Sequence, residues 1–364
     1  MRTKRAATKT ASVLLVFTSL SATACQKTVL LGGGDNGSDA GAETADSPCA
    51  SGQFSAFATN QRSPGDLILD DQHAFWFNDY EPAVQIMMAP ISGGAATQIS
   101  LSDGAYLADT TPSQSHPVLA SSIVLDDQNL YWIESHYNPF SIVLESQSIV
   151  SMPKTGGATT TLAETTVAQY PTLAAVDGDN FYFVDDTTNT LSSLSRSGET
   201  MRVLLSNVST ANEPGIARLQ QDAQNLYWID SVGAKFYSLS KSGGAPAFVT
   251  DVGSNFAQDA QHLYWLDDGK LVATAKGSDS PTTVALLDGI SSPLGLITVD
   301  DVCVYWSVDT SPSASAVMAV PKGGGQIITA ATLPSWEAEG SWAADATGVY
   351  IASPYDSTIL KLVR

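Results

Sequence analysis

Seven similar segments recur along this chain, and the clearest reads Asp222-Ala-Gln-Asn-Leu-Tyr-Trp-Ile-Asp230. The other six are Asp70-Asp-Gln-His-Ala-Phe-Trp-Phe-Asn78, Asp126-Asp-Gln-Asn-Leu-Tyr-Trp-Ile-Glu134, Asp177-Gly-Asp-Asn-Phe-Tyr-Phe-Val-Asp185, Asp259-Ala-Gln-His-Leu-Tyr-Trp-Leu-Asp267, Asp300-Asp-Val-Cys-Val-Tyr-Trp-Ser-Val308 and Asp345-Ala-Thr-Gly-Val-Tyr-Ile-Ala-Ser353. Each joins a polar turn to a run of large apolar residues. Such recurrence predicts a repeat architecture.

The spacing of the repeats identifies the repeating unit. The aromatic anchors are Phe75, Tyr131, Tyr182, Tyr227, Tyr264, Tyr305 and Tyr350. Consecutive anchors are 56, 51, 45, 37, 41 and 45 residues apart, a mean of about 46. One four-stranded propeller blade occupies a similar length.

Each period contains material for four strands. The segment Gly215–Leu219 precedes a short Asp/Gln/Asn turn, and the uniformly large run Leu226–Asp230 follows it. A run of this kind predicts a strand buried on both faces. A third strand then ends at a glycine turn, as in Phe236–Gly244, and Ala245–Thr250 is the fourth. No segment with helical periodicity is long enough to predict a helix in place of these strands.

The last period predicts how the ring closes. Only one further strand, Ile359–Val363, follows Tyr350, so this unit lacks its fourth strand. The segment Phe54–Thr59 lies just ahead of the first full unit and is expected to supply it, which removes both free sheet edges. The fold prediction is therefore an all-β single propeller of seven blades, closed by an N-terminal strand. Six blades is the alternative, if the first or last unit is not a true blade.

The recurrent Tyr-Trp-x-Asp/Glu resembles the YWTD repeat of low-density-lipoprotein-receptor-type propellers, and more loosely the TolB-type propellers of bacterial envelopes. The resemblance covers most of residues 60 to 364. No unit has the Thr of the motif, and Phe183 and Ile351 replace its Trp in two units. The receptor-type family also has six blades rather than seven. The resemblance implies a propeller, an architecture that serves many functions.

The N-terminus predicts export. Residues 1–24 combine the basic residues Arg2, Lys4, Arg5 and Lys9 with the apolar run Ser12–Phe17 and a small-residue stretch ending at Ala24, which is typical of a signal peptide. Leu20-Ser-Ala-Thr-Ala-Cys25 resembles a bacterial lipobox, with Ala22 where Leu, Val or Ile is usual. This resemblance implies acylation of Cys25, and soluble secretion after the same cleavage is the alternative.

Three regions follow from this reading. We expect a signal peptide over 1–24, a flexible acidic Gly/Ser/Asp-rich linker over 25–49, and a propeller over 50–364. The predicted location is the cell envelope, as an outer-membrane lipoprotein facing the periplasm or the surface, and the membrane is contacted by the lipid anchor only. In an exported chain the remaining cysteines, Cys49 and Cys303, are expected to form a disulfide.

Charge excludes one class of partner. The chain has 37 acidic and 17 basic residues, a formal net charge of −20, and loss of the four basic residues in the signal peptide takes this to −24. Such a charge disfavours nucleic-acid binding.

Paired carboxylates such as Asp126-Asp127 and Asp300-Asp301 recur at equivalent places in the repeat, which favours a structural role over a metal site. His73 and His262 occupy the same turn position and are expected to be exposed. Neither a His-based metal centre nor a Gly-x-Ser-x-Gly nucleophile motif is evident. We therefore expect no cofactor, no metal and no catalytic residue.

Departures from the repeat predict the binding face. From the anchor Tyr to the next glycine turn there are 25 residues in the second unit (Tyr131 to Gly156) but 13 in the fifth (Tyr264 to Gly277). The variation falls between the second and third strands, whose loops share one face with the connections between blades. The candidate contact residues on that face are Tyr80, Glu81, His136, Tyr137, Asn138, Tyr170, Glu213, Trp336 and Trp342.

The sequence thus predicts a monomeric, lipid-anchored binding or protein-interaction module without catalysis, whose partner is an envelope protein or glycan. Two alternatives remain. One is a propeller enzyme of lactonase, polysaccharide lyase or quinoprotein type, with its site at the channel mouth and Glu81, Glu213, Asn255 and Glu337 as candidate residues. The other is a structural envelope protein.

Overall fold

The structure contains seven antiparallel sheets of four strands each. The computed structural model describes residues 47–80, 83–101, 118–137, 144–165, 171–185, 190–197, 201–206, 216–230, 235–251, 255–278, 280–287, 293–334 and 340–364, which lie in one unit, residues 46–364. Across these ranges no helix has the length and apolar character needed to cross a bilayer.

The strands follow the repeat. The closing strand is β1 (Ser55–Ala58), and blades 1 to 3 contain β2 (Pro64–Leu69), β3 (His73–Tyr80), β4 (Ala83–Pro90), β5 (Thr97–Leu101), β6 (Val118–Leu125), β7 (Asn129–Tyr137), β8 (Leu144–Pro153), β9 (Thr160–Thr165), β10 (Pro171–Val176), β11 (Asn180–Asp185), β12 (Thr190–Ser195) and β13 (Met201–Ser206). Blades 4 and 5 contain β14 (Ile216–Gln221), β15 (Asn225–Asp230), β16 (Lys235–Ser240), β17 (Ala247–Asp251), β18 (Phe256–Gln258), β19 (His262–Asp267), β20 (Lys270–Ala275) and β21 (Thr282–Leu286). Blades 6 and 7 contain β22 (Pro293–Val299), β23 (Cys303–Ser311), β24 (Ala314–Pro321), β25 (Ile328–Pro334), β26 (Ser341–Asp345), β27 (Gly348–Ser353) and β28 (Thr358–Val363).

The ring closes as predicted. In the last sheet the order is β1-β28-β27-β26, so the N-terminal strand is the outer strand of blade 7, and Ser55 pairs with Lys361. The chain is a seven-bladed β-propeller, and the six-bladed alternative is wrong. Pairing strands from the two ends of the chain leaves no gap in the ring.

The second strand of each blade packs on both sides, which explains its uniformly apolar sequence. In blade 4, Tyr227 and Ile229 pack on blade 5 beside Trp265, while Leu226 and Trp228 pack on blade 3. The Trp residues at this level, Trp76, Trp132, Trp228, Trp265 and Trp306, are all at most 1% exposed. Because side chains alternate along the strand, every second one packs on the next blade and the others pack on the preceding blade.

The repeated Asp stabilises the turn between the first and second strands. Asp222 Oδ1 accepts hydrogen bonds from the backbone N–H groups of Gln224 and Asn225, both at 2.8 Å, and its Oδ2 accepts one from the Tyr227 hydroxyl at 2.8 Å. This supports the structural interpretation of these carboxylates. His73 and His262 begin β3 and β19 and are half-buried rather than fully exposed, because their rings lie against Phe75 and Tyr264.

The same Asp residues also connect neighbouring blades. A cation directly after the third strand of one blade binds the turn Asp of the preceding blade. The six pairs are Lys154–Asp70 (2.8 Å), Arg196–Asp126 (2.7 Å), Lys241–Asp177 (2.8 Å), Lys276–Asp222 (3.4 Å), Lys322–Asp259 (2.9 Å) and Arg364–Asp300 (3.3 Å). At the seventh junction Ile91 occupies the cation's position, and Lys361 of blade 7 donates instead to the Ile91 carbonyl at 3.1 Å.

The predicted disulfide is present. Cys49 and Cys303 are bonded, with their Cα atoms 5.6 Å apart although they are 254 positions apart in sequence. Both cysteines are buried, and the next residue, Ala50, donates its N–H to the Tyr305 hydroxyl at 2.8 Å. The bridge attaches the segment ahead of β1 to blade 6, beside the blade that β1 completes.

Candidate functional site on the loop face

The two faces of the ring have different connections. Because neighbouring strands are antiparallel, the turns joining the first to the second strand and the third to the fourth lie on one side, which we call the turn face. The turns between second and third strands and the connections between blades lie on the other side, the loop face. The ion pairs between blades lie on the turn face, where strand ends repeat almost without variation.

Blades differ in height on the loop face. The second strands of blades 1, 2 and 6 have 8, 9 and 9 residues, whereas those of blades 3, 4, 5 and 7 have 6 each. Blade 7 therefore lies between two taller neighbours, blades 6 and 1. Strands β23 and β3 therefore extend further toward the loop face than β27 between them, and we call the resulting step above blade 7 the cleft, with the hairpins β23–β24 and β3–β4 as its sides.

Some of the predicted contact residues lie on these walls. Tyr80 ends β3, His136 and Tyr137 end β7, and His136 is half-buried opposite Ser146. The backbone thus places Tyr80, His136 and Tyr137 on the loop face of two adjacent tall blades. Trp342 differs, because it lies in the innermost strand β26 and packs against the core between blades 6 and 7.

Other predicted residues cannot be placed. Cys25, Glu81, Asn138, Tyr170, Glu213, Trp336 and Glu337 lie outside the described residues. Asn255 directly precedes β18 and is half-buried.

Tyr355 is a candidate contact residue that sequence reasoning missed. It lies in the hairpin between β27 and β28, at the floor of the cleft, and 66% of it is exposed. The turn Pro354-Tyr-Asp356 contains an aromatic residue at a position where the repeat requires no apolar side chain. An aromatic residue in this turn could have indicated a contact residue in the sequence, but the last repeat was interpreted only in terms of ring closure.

The floor of the cleft is fixed by hydrogen bonds from the segment that joins β1 to β2. Gln61 donates its backbone N–H to the Ser357 carbonyl at 2.8 Å. Its buried side chain accepts from Trp76 Nε1 at 3.1 Å and from Asn78 Nδ2 at 2.9 Å. These bonds hold the hairpin that carries Tyr355 against blade 1.

Strained backbone concentrates at the same place. Three non-glycine residues with left-handed backbone lie in or beside the cleft floor, namely Asn60 (φ 59°), Ser63 (φ 43°) and Ser357 (φ 55°). Elsewhere in the described part of the chain only Asp268 and the equivalent bulge residues Asp66 of β2 and Ser122 of β6 share this conformation. Each such residue costs about 1 to 3 kcal/mol, and clusters of them are typical of functional sites.

The loop face carries a net negative charge. Its acidic side chains include Glu134, Glu145, Asp251, Asp268, Asp309 and Asp356. The basic residues within its described parts are Arg62, Lys235 and Lys270, while the turn face holds the six paired cations. The described residues contain no group of three or more His, Cys, Asp or Glu suited to a metal ion. The face therefore has a negative potential that favours cationic partners.

Comparison with known proteins supports the fold. No known family profile matches the sequence, and no curated protein matches it. Among solved structures, virginiamycin B lyase from Staphylococcus aureus is similar with a TM-score of 0.57 and 12% identity, over 86% of this chain and 99% of the lyase. YCF48 bound to D1 peptide has a TM-score of 0.52 and 12% identity, over 86% of this chain and 96% of YCF48.

A third similar structure is the extracellular domain of a putative one component system from B. thetaiotaomicron. Its TM-score is 0.52 with 10% identity, and the match covers 85% of this chain and 40% of that one. At such identities the similarity establishes the β-propeller architecture, and function has to be argued from the site.

Proposed function

We propose that this protein is an exported binding module, without catalysis, that contacts a partner in the cell envelope through its loop face. The observation that carries the proposal is the cleft above blade 7. A regular ring departs from its repeat there, in blade height, in backbone strain and in the exposure of Tyr355. Exposed tyrosines are enriched at protein interfaces, because they add apolar area and a hydrogen-bonding hydroxyl at small entropic cost.

The proposal includes a tether. The signal peptide over 1–24, the lipobox-like Cys25 and the Gly/Asp-rich stretch up to Cys49 support a lipid-anchored propeller on a flexible linker. The YWTD-like spacing of the repeat is consistent with a domain of the envelope or the extracellular space. Soluble secretion is the alternative, and lipid labelling distinguishes it from the anchor. Lipid labelling in the native host should be lost in Cys25→Ala, and labelling that persists would refute the anchor.

A face-resolved crosslinking experiment tests the binding role. A photoreactive amino acid is placed on the loop face at Thr310, His136 or Tyr355, and on the turn face at Gln72, Gln128 or Gln224. We expect one discrete crosslinked species from the loop-face positions and none from the turn-face positions. Crosslinks confined to the turn face would overturn the proposal.

An enzyme of lactonase, lyase or quinoprotein type remains the competing hypothesis. It predicts turnover by the purified protein of a sugar lactone, a polysaccharide or a quinone-linked substrate. We expect no turnover in any of the three assays. Turnover that is lost in Asn255→Ala, the candidate residue that the structure describes, would favour the enzyme.

A further inference from the structure

In one layer, the interface between blades 6 and 7 has a polar residue where the other six interfaces have an apolar one. The fifth residue of each blade's second strand faces the next blade, and it is Phe77, Ile133, Val184, Ile229, Leu266 or Ala352 in the other six blades. In blade 6 it is Ser307. Ser307 is completely buried, and its Oγ has no hydrogen-bond partner among the described residues.

Further polar groups share this layer. Alternation along β23 puts Asp309 on the same strand face as Ser307, and the buried Ser315 donates its Oγ hydrogen to Asp309 Oδ1 at 2.9 Å. From blade 7, Ser353 pairs in register with Thr358, whose Oγ1 is buried and likewise without a hydrogen-bond partner in the described structure.

The core below this layer shows that the two polar sets face each other. Tyr305 of blade 6 and Ile351 of blade 7 belong to one buried cluster. Ser307 and Ser353 each lie two residues further toward the loop face, on the same sides of their strands. They therefore form the next layer of the interface, directly beneath the hairpin that carries Tyr355.

Two features suggest that a group from outside completes this layer. A buried hydroxyl without a partner costs about 1 to 3 kcal/mol, so two of them in one layer call for an explanation. In addition, neither wall supplies a cation, because residues 303–321 and 348–358 contain no Lys or Arg. The layer presents hydroxyl oxygens and a carboxylate, which suit a donor-rich positive group.

We propose that this polar layer between blades 6 and 7, which we call the slot, binds a cationic side chain from a partner protein. The group bound is the ammonium of a Lys or the guanidinium of an Arg. Ser307 Oγ, Thr358 Oγ1 and the Asp309 carboxylate accept its hydrogen bonds, and the ring of Tyr355 packs against its aliphatic stem. The proposal rests on the binding function proposed above and names the chemistry of the partner. Charge complementarity supports it, since the face is acidic and the chain carries −20 overall.

The test uses the purified protein and blocked pentapeptides Ac-Gly-Gly-X-Gly-Gly-NH2 in which X is Lys, Arg or the uncharged norleucine, with binding followed by NMR titration. We expect saturable binding of the Lys or Arg peptide and none of norleucine. Asp309→Asn, which keeps the shape and the oxygen that Ser315 binds, should weaken binding about tenfold. Its matched control is Asp251→Asn, an exposed acid on the loop face of blade 4, which should leave the affinity unchanged.

Ser307→Ala separates binding from folding. Its hydroxyl has no partner in the free protein, so removing it should leave the melting temperature unchanged or raise it, while the peptide affinity falls about threefold or more. Tyr355→Ala should also weaken binding, whereas Phe248→Ala, at an aromatic that is 52% exposed on the outer strand of blade 4, should not.

Several results would overturn the slot. These are equal binding of the norleucine peptide, equal losses in Asp251→Asn and Asp309→Asn, an unchanged affinity in Ser307→Ala, or competition by neutral oligosaccharides. If loop-face crosslinks persist alongside any of them, the slot is wrong and the binding module stands. If crosslinks map to the turn face, the proposed function itself fails.

Discussion

Lys361 donates to the backbone carbonyl of Ile91 at 3.1 Å, across the junction between the last blade and the first. It also donates to Thr347 Oγ1 at 2.8 Å, within its own blade. At the other six junctions an Asp and a cation meet instead. The junction that closes the ring is therefore held by a different arrangement from the rest.

Removing this contact should destabilise the closure. Lys361→Met keeps most of the stem but leaves the Ile91 carbonyl without its donor, and we expect a loss of about 1 to 2 kcal/mol in the free energy of unfolding. Urea denaturation measures it. Lys270→Met, at an exposed position, is the control and should change stability by less than about 0.5 kcal/mol. Equal effects in the two variants would contradict a closing role for Lys361.

The disulfide should contribute measurably to stability. It joins residues 254 positions apart, and the chain-entropy model gives about 5 to 6 kcal/mol for a loop of this size. Reductant should therefore lower the melting temperature, and Cys49→Ser should show the same loss without reductant. Mass spectrometry of the unreduced protein checks the bond directly, and two free thiols would refute it.

Gly348 should tolerate no side chain. Its φ is 150°, and a Cβ there would lie 2.0 Å from the backbone oxygen of Leu362 in the neighbouring strand. Gly348→Ala should destabilise by about 3 kcal/mol, because backbone atoms have to move. Gly269→Ala is the matched control, since its φ is 74° but no atom lies within 4 Å of the added carbon. It should cost only about 1 to 2 kcal/mol.

Acid should weaken the junctions between blades. Burial acts to raise the pKa of Asp259, but hydrogen bonds from Lys322, Gln261 and His262 outweigh it and hold that pKa well below its usual range. A carboxylate with a lowered folded-state pKa contributes stability above its unfolded pKa, near 4, and this contribution is lost as the pH falls. Stability should therefore drop below pH of about 4.

The variant Asp259→Asn checks the assignment. It should be less stable than the parent at pH 7 and should lose less stability between pH 5 and pH 3, as measured by denaturation at each pH. An Asp268→Asn variant, at an exposed position in the hairpin of the same blade, should follow the parent. An unchanged pH slope in Asp259→Asn would show that the acid response arises elsewhere.

Alkali should act through the anchor tyrosines. Burial, followed by the hydrogen bond to Asp222, raises the pKa of Tyr227 to about 12. Because the folded-state pKa lies above the unfolded value near 10, the contribution to stability is complete below pH 10 and is lost between about pH 10 and 12. Tyr227→Phe should reduce the slope of stability in that window, whereas Tyr355→Phe, in the exposed hairpin, should not. Ultraviolet titration of phenolate formation gives an independent check.

Much of the fold could be predicted from local patterns. The aromatic anchor and the polar turn before it recur in every blade, and a glycine turn follows in the first six, because each blade packs against the next in the same way. The partial last unit and the spare strand at Ser55–Ala58 predicted the closure, since a ring leaves no free edge. Even the Cys49–Cys303 bridge was predicted, because an exported chain usually pairs its remaining cysteines.

The candidate site was predicted less completely. The loop face was chosen correctly as the variable one, and Tyr80, His136 and Tyr137 lie there, but Tyr355 was overlooked. An aromatic residue in a turn looks the same in sequence whether it is packed or exposed, so only the short hairpin between tall neighbours shows that Tyr355 is accessible.

The sequence by itself determined the blade, its number of repeats and the way the ring closes, because these depend on alternation and spacing along a single strand or hairpin. Only the tertiary structure decided which groups meet between blades. Lys154 binds Asp70, 84 residues away, and the buried Ser307 Oγ lacks a hydrogen-bond partner among the described residues. Such contacts depend on the register of two separately encoded sheets, and no local pattern contains that information.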